Sequence, residues 1–237
     1  MWRVLRSHPK IVIGNEWMAG RAHDLTRDMF EPSRFFAPVI GADCGYDIAA
    51  HPETKDYLPL ARERYAEALW IGDKIPYLYK HFDRLYETFP EAEVIFMLRD
   101  PFEVAASYKK RHLSTSSEDA DLSAGSVVEA IRDWNESLQA LQQDRHRDPF
   151  VIHYREISAG LGHWTDRVNL KFSDFTPTLA AERFKMFGLI EKREPILTAA
   201  EVGLVNDTAD LESYRKLFAA QHKFGFRRQP PYWWDAA

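Results

Sequence analysis

Arg99 and Ser107 are the two residues whose types and spacing most directly suggest a chemistry. An arginine guanidinium presents parallel N–H donors that match the oxygens of a phosphate, and a serine hydroxyl can add a further hydrogen bond. The two residues stand eight positions apart, with Asp100 and Pro101 directly after the arginine. Together they predict a clamp for a phosphate group or a similar anion.

The sequence around this pair predicts how the two side chains are positioned. Residues 94–98 form a short apolar run, which is typical of a strand buried in a parallel sheet. Asp100 can cap a helix, and Pro101 suits the first helical position. Arg99 is therefore expected at the carboxyl end of a strand, and Ser107 about two turns into the following helix. Open α/β sheets bind ligands at such strand ends, beside helix N-termini that favour anions.

The composition indicates a globular chain and excludes several classes of protein. The 237 residues are 45% hydrophobic, which is enough for one α/β domain with a full core. The net charge of -5 argues against a general nucleic-acid-binding protein, although the basic run at residues 109–112 could meet an anionic ligand or simply end a helix. No apolar run approaches the roughly 20 residues of a membrane span. The single cysteine, Cys44, excludes an intrachain disulfide and predicts a cytoplasmic location.

Apolar periodicity predicts helices and strands in alternation. Helices are expected at residues 1–7, 56–70, 77–88, from 101 onward, 127–141 and 210–221, and strands at 10–14, 94–98 and 150–154. Residues 71–76 are expected to form a short extended link or a strand end, and residues 112–124 a mobile surface loop. The predicted core positions are Leu60, Tyr65, Ala68 and Leu69 in one helix, and Val127, Ile131, Trp134, Leu138 and Leu141 in another. The alternation favours an α/β fold with a mainly parallel sheet and right-handed crossovers.

Two common phosphate-binding motifs are missing from the sequence. Neither GxxxxGK[ST] nor GxGxxG occurs, so kinase, ATPase and dehydrogenase interpretations lack their phosphate loops.

Four segments, taken in order, resemble the sulfotransferases that use 3′-phosphoadenosine 5′-phosphosulfate (PAPS). Residues 99–107 resemble the segment that binds the 3′-phosphate, and residues 72–77, Gly-Asp-Lys-Ile-Pro-Tyr, resemble the [DE]-K-x-P-x-Y segment of heparan-type and bacterial members. Residues 8–16 resemble the family's His-Pro turn with an acid at the next strand end. Residues 151–156 resemble its Tyr-Glu-Asp strand end. The resemblance covers roughly residues 2–160.

The resemblance implies a role for each of five residues. Glu16 would be the base that takes the acceptor's proton, and Lys74 would balance charge on the sulfate or its bridging oxygen. Arg99 and Ser107 would bind the 3′-phosphate, and Tyr154 would lie near the adenine. No metal is implied.

Other relatives use a histidine as the base, so two histidines of this sequence are also candidates, although weaker ones than Glu16. These are His8 and His23, of which His8 is better explained as a turn residue.

The resemblance also implies the fold and the substrates. The expected fold is a three-layer α/β/α domain with the topology of P-loop nucleotide hydrolases, spanning residues 1–237 as a single domain. PAPS would be the donor, and the acceptor would be a hydroxyl or amine on a sugar, lipid or small molecule. Residues 17–50 and 112–124 are the expected acceptor loops, with the aromatic residues Trp17, Phe30, Phe35 and Phe36 suited either to an acceptor or to the core. No role is assigned to residues 160–177 or to the aromatic tail, and the oligomeric state is left open.

One departure from the family pattern leaves alternatives open. Family members normally open with a strand and a Ser/Thr/Gly-rich loop that holds the 5′-phosphosulfate, whereas this sequence starts in the helix that follows such a loop. The expectation is that the first strand and phosphate loop are missing, with Met1 internal to a longer protein or the chain a natural remnant. There are two alternatives: another nucleotide-binding transferase or kinase of related topology, and a non-catalytic protein that binds 3′-phosphonucleotides.

Overall fold

The computed structural model describes residues 2–37, 52–115, 120–144, 149–154 and 196–222, and the chain divides into two units. The first unit is formed by residues 1–99 and 139–194, and the second by residues 100–138 and 195–237. All four strands given below belong to the first unit.

The first parallel pair joins β1 (Ile11–Asn15) to β2 (Trp70–Lys74). The β-branched run that opens β1 favours a strand, and Val12 is fully buried. Gly14 lies opposite Asp73, and Asn15 lies opposite Lys74. The segment expected to be an extended link or a strand end therefore belongs to a strand through Lys74. Both strands end at the same edge because they run in the same direction.

The second parallel pair joins β3 (Ile95–Leu98) to β4 (Phe150–His153), with Leu98 opposite His153. Both strands were predicted from their apolar runs. Within the described residues the two pairs are separate two-stranded sheets. An α/β fold with parallel strands is thus confirmed, while the three-layer arrangement remains a prediction.

Helices alternate with these strands along the chain. The α-helices are α1 (Trp2–Leu5), α2 (Pro32–Phe35), α3 (Pro52–Arg64), α4 (Phe82–Thr88), α5 (Pro101–Thr115), α6 (Ala120–Gln143), α7 (Ala199–Thr208) and α8 (Leu211–His222). Short 3-10 helices lie at Ala19–Asp24, Arg27–Phe30, Tyr65–Glu67 and Leu78–His81. The predicted helices are present, and α7 is an additional one that the periodicity did not indicate.

The core of the first unit is an aromatic cluster behind β1. Trp17 packs edge-on against Phe35, with ring centroids 4.9 Å apart, and Phe36 lies 6.2 Å from the same indole. All three side chains are buried, as are Leu25 and Tyr57. Trp17, Phe35 and Phe36 are therefore core residues and are not available to line an acceptor site, whereas Phe30 is partly buried against the same cluster.

Two sequence predictions are wrong. Residues 112–115 and 120–124 are helical and not part of a loop, because α5 continues through Thr115 and α6 begins at Ala120. Serine and acidic residues there suggested a loop, yet acids also favour the first turn of a helix, where Asp121 falls. Leu60 and Leu69 are not core residues, since they are 37% and 66% exposed. Leu69 lies beyond the end of α3, so the helical periodicity did not apply to it.

The predicted stripe on α6 is confirmed. The five side chains of this stripe are almost fully buried: Val127, Ile131, Trp134, Leu138 and Leu141. In the second unit, Trp134 packs against Tyr214 of α8 with ring centroids 5.5 Å apart. The 4-3-4-3 spacing identified the packed face of this helix correctly.

A buried ion pair joins α5 to α7 in the second unit. The Lys109 ammonium donates to the Glu201 carboxylate at 2.7 Å, and both residues are buried. The same carboxylate accepts the backbone N–H and hydroxyl of Thr198 as part of a capping box. Burial opposes ionisation, but the bonds from Lys109 and Thr198 outweigh it and lower the pKa of Glu201. Lys109 is therefore a structural residue and not a surface charge awaiting an anion.

Two glycines on the paired strands are expected to respond differently to a methyl group. At Gly14 an added Cβ would lie 2.5 Å from Oδ1 of Asp73 and 2.9 Å from the Trp17 ring, whereas at Gly72 it would meet nothing within 4 Å. We expect Gly14→Ala to lower the free energy of unfolding by about 2 kcal/mol, as overpacking does. Gly72→Ala should change it by less than about 1 kcal/mol. Urea denaturation measures both, and equal effects would contradict the packing described around Gly14.

Candidate functional site

The register of β1 and β2 brings Glu16 and Lys74 together. Glu16 directly follows β1, and its backbone N–H donates to the carbonyl of Lys74 at 2.9 Å. The Lys74 ammonium in turn donates to the Glu16 carboxylate, so main chain and side chains both join the two residues. The side chains are 20% exposed for Glu16 and 44% for Lys74. A carboxylate and an ammonium thus meet at the carboxyl edge of a parallel pair, where a ligand can reach them.

Glu16 adopts a backbone conformation that is unusual for its residue type. Its φ is 64°, and among the described residues it is the only non-glycine with a positive φ. The left-handed region costs an L-residue roughly 1–2 kcal/mol. Such residues concentrate at functional sites, where the surrounding structure holds them in place. This conformation supports a role for Glu16 beyond that of a surface acid.

Asp73 lies beside this pair and was not predicted as a site residue. Its Oδ2 accepts the backbone N–H of Met18 at 2.7 Å, and its Oδ1 accepts the backbone N–H of Lys74 at 2.9 Å. Burial of the carboxyl group raises its pKa to about 7, against the lowering effect of backbone hydrogen bonds from Met18, Trp17 and Lys74, and the nearby Glu16 charge raises it further. The sequence signal for it was its place directly before the lysine in the 72–77 segment.

Arg99 and Tyr154 also come together, at the ends of the second strand pair. Each follows a strand, β3 and β4, whose last residues lie opposite one another. The Arg99 guanidinium stacks over the Tyr154 ring, 4.8 Å from its centroid. Stacking uses the face of the guanidinium, while its N–H donors lie in the plane. The pair therefore places a positive charge over an aromatic ring at the ends of β3 and β4.

Ser107 lies on α5 in the second unit, as its seventh residue, and is partly buried. The start of this helix is as predicted: the Asp100 carboxylate accepts the backbone N–H groups of Phe102 at 2.9 Å and Glu103 at 3.4 Å. The N-cap prediction is confirmed. The pairing of Ser107 with Arg99 on one phosphate stays a prediction from their spacing.

The two histidine candidates differ from the Glu16–Lys74 pair. His8 is buried, and its Nδ1 accepts the backbone N–H of Lys10 at 3.1 Å, which is the geometry of a turn residue. His23 is exposed, 6.4 Å from the ring of His81 and close to the Asp24 carboxylate. The Glu16–Lys74 pair, by contrast, joins a carboxylate to an ammonium at the ends of two parallel strands.

Two other features are absent from the described residues. They contain no cluster of three or more histidine, cysteine or acidic side chains that could hold a metal ion. They contain no helix long and apolar enough to cross a membrane. Cys44, residues 155–195 and the aromatic tail lie outside the described residues, as does the part of the 17–50 segment beyond position 37.

Comparison with known proteins gives one match. A model of the sulfotransferase family matches residues 1–169, which include Glu16, Lys74, Arg99, Ser107 and Tyr154. No curated protein and no solved structure matches the chain.

The raised pKa of Asp73 predicts how stability depends on pH. Because the folded chain holds this proton up to about pH 7 and the unfolded chain releases it near pH 4, the folded state binds more protons between these values. The free energy of unfolding should therefore fall as the pH rises from 4 to 7, by up to about 4 kcal/mol from this group. Urea denaturation across this range measures the slope. The Asp73→Asn variant should lose this contribution to the change of unfolding free energy with pH, whatever its absolute stability. An identical pH dependence in the variant would contradict the assignment of the raised pKa to Asp73.

Proposed function

The chain belongs to the sulfotransferase family, and we propose that it transfers a sulfuryl group from PAPS to a hydroxyl or amine acceptor. The observation that supports this most is the Glu16–Lys74 pair at the edge of β1 and β2. Sulfuryl transfer by in-line displacement needs a base for the acceptor and a positive charge for the leaving oxygen. A carboxylate and an ammonium in contact supply one group of each kind.

In the proposed reaction the acceptor oxygen or nitrogen attacks the sulfur and forms the new bond to it. The bond between sulfur and the bridging oxygen breaks, and 3′-phosphoadenosine 5′-phosphate (PAP) leaves with that bond's electron pair. The acceptor's proton passes to the Glu16 carboxylate. The Lys74 ammonium stabilises the negative charge that develops on the bridging oxygen.

The nucleotide is proposed to bind through three residues. Arg99 and Ser107 would bind the 3′-phosphate, as their spacing predicts, and Tyr154 would lie near the adenine. The stacking of Arg99 on Tyr154 supports a shared role, since one aromatic ring can order the guanidinium and contact a base. We propose that these residues stand on a three-layer fold of P-loop-like topology. The cytoplasmic location, inferred from Cys44, stays a prediction.

The acceptor is proposed to be a small molecule, a sugar or a lipid. The described part of the 17–50 segment supports this in one respect only: it begins directly after Glu16, so an acceptor whose proton is taken there must lie beside it. Its aromatic residues Trp17, Phe35 and Phe36 are core residues, so the selection of the acceptor depends on other side chains.

Binding of PAP tests the nucleotide site. We expect PAP to bind at least about 10-fold more tightly than 5′-AMP, because a hydrogen-bonded charge on the 3′-phosphate contributes about 1.5–3 kcal/mol. Arg99→Ala should remove most of this difference. Isothermal titration calorimetry measures both ligands, with the surface variant Arg84→Ala as control. If Arg99→Ala binds PAP as the unchanged chain does, the assignment of Arg99 is wrong.

Substitutions of Glu16 test the base. Glu16→Ala and Glu16→Gly should each lower kcat by about 10²–10⁴-fold, since both remove the carboxylate. Glycine tolerates the positive φ, so Glu16→Gly should be more stable than Glu16→Ala by about 1 kcal/mol. Transfer of radiolabelled sulfate from PAPS to a panel of acceptors gives kcat, and urea denaturation gives stability. Tight PAP binding with no transfer to any acceptor would instead favour the non-catalytic binding protein.

A further inference from the structure

The Asp73 side chain lies between the turn that follows β1 and the end of β2, the two segments that carry Glu16 and Lys74. Its two carboxyl oxygens accept N–H groups from different segments: Oδ2 from Met18, in the turn after Glu16, and Oδ1 from Lys74 on its own strand. The carboxyl group therefore joins the turn after β1 to the end of β2. The bond to the turn is made at Met18, two residues after Glu16.

The backbone around Glu16 is thereby held at two points. On one side, the Glu16 N–H donates to the Lys74 carbonyl at 2.9 Å, which extends the ladder of β1 and β2 by one bond. On the other side, the bond from Met18 to Asp73 holds the chain after the turn. Since Glu16 lies at a positive φ that its residue type disfavours, these flanking bonds oppose relaxation to an extended conformation.

The space around the Asp73 carboxyl group is closely filled. An added carbon on Gly14 would lie only 2.5 Å from Oδ1, and the same position is 2.9 Å from the Trp17 ring. Trp17 is itself buried against Phe35. A longer side chain at residue 73 would thus meet β1 or the indole, and a shorter one would leave both N–H groups without their acceptor.

We propose that Asp73 is a positioning residue for sulfuryl transfer, whose carboxyl group sets the placement of the Glu16 carboxylate relative to the Lys74 ammonium. This inference rests on the proposed function. Asp73 acts through the backbone of its neighbours and needs no contact with the substrates. Misplacing a catalytic group by about 1 Å can cost a factor of 10² in rate, which is the size of effect that this role implies.

The charge of the carboxyl group supports the same role. The ionisable groups that face it are Glu16, whose negative charge opposes its ionisation, and Lys74, whose backbone N–H it accepts. Because burial raises the pKa of Asp73 to about 7, the group changes charge in the neutral range. An ionised Asp73 is a stronger hydrogen-bond acceptor for both N–H groups, so the placement of the pair should tighten as the pH rises through 7.

Kinetics of Asp73→Asn test the proposal. We expect kcat to fall by about 10²-fold, with PAP binding by calorimetry within about threefold of the unchanged chain, because the nucleotide residues are elsewhere. In the unchanged chain kcat should rise in a step as the pH passes through about 7, and this step should be absent in Asp73→Asn. The exposed Asp83→Asn variant should keep kcat and the step. An Asp73→Asn variant that keeps its kcat and its pH profile would overturn the proposal.

A second measurement separates this proposal from the proposed function. In NMR spectra of the ¹⁵N-labelled chain, the amide signals of Met18 and Lys74 should titrate together near pH 7, and should not do so in Asp73→Asn. If neither PAP binding nor transfer is found but this titration is present, the proposed function fails and the structural connection stands. If PAP binding and transfer are found but the two amides do not titrate together, the positioning role fails.

Discussion

The parallel register of β1 and β2 is the constraint on which the candidate site depends. A shift of one residue would place every side chain of a strand on the opposite face. In the observed register Asn15 lies opposite Lys74, so the next residue along the chain, Glu16, reaches the lysine. The site directly follows the paired residues of β1 and β2, so main-chain hydrogen bonds determine where its side chains lie. Gly14 makes the register possible, because only a residue without a side chain leaves room for Asp73.

Much of the fold could be predicted from the sequence, because local patterns determine local elements. The stripe on α6 and the N-cap at Asp100 are set by residues a few positions apart, and both are confirmed. Leu69 was misassigned because a helical period says nothing about where the helix ends. Residues 112–115 and 120–124 were misassigned because serine and acidic residues suit both loops and helix starts. The arrangement of the strand pairs in layers depends on long-range contacts that no local pattern reports.

The candidate site was predictable only in part. Motif order and predicted strand ends named Glu16 and Lys74, and the structure brings those two together. The role of Asp73 could not be foreseen, because it depends on the path of the turn after β1, which no propensity fixes. Lys109 looked like a surface charge for a similar reason. Its partner, Glu201, is 92 positions away, and nothing local marks such a pair.

The ion pair between Lys109 and Glu201 has a consequence for where this protein can be divided. The match to the sulfotransferase family ends at residue 169, and Glu201 lies beyond it. A fragment trimmed to the matching stretch would lose α7 and, with it, both the carboxylate that pairs with Lys109 and part of the packing that buries its ammonium. The stretch that matches the family is therefore shorter than the stretch whose packing stabilises α5.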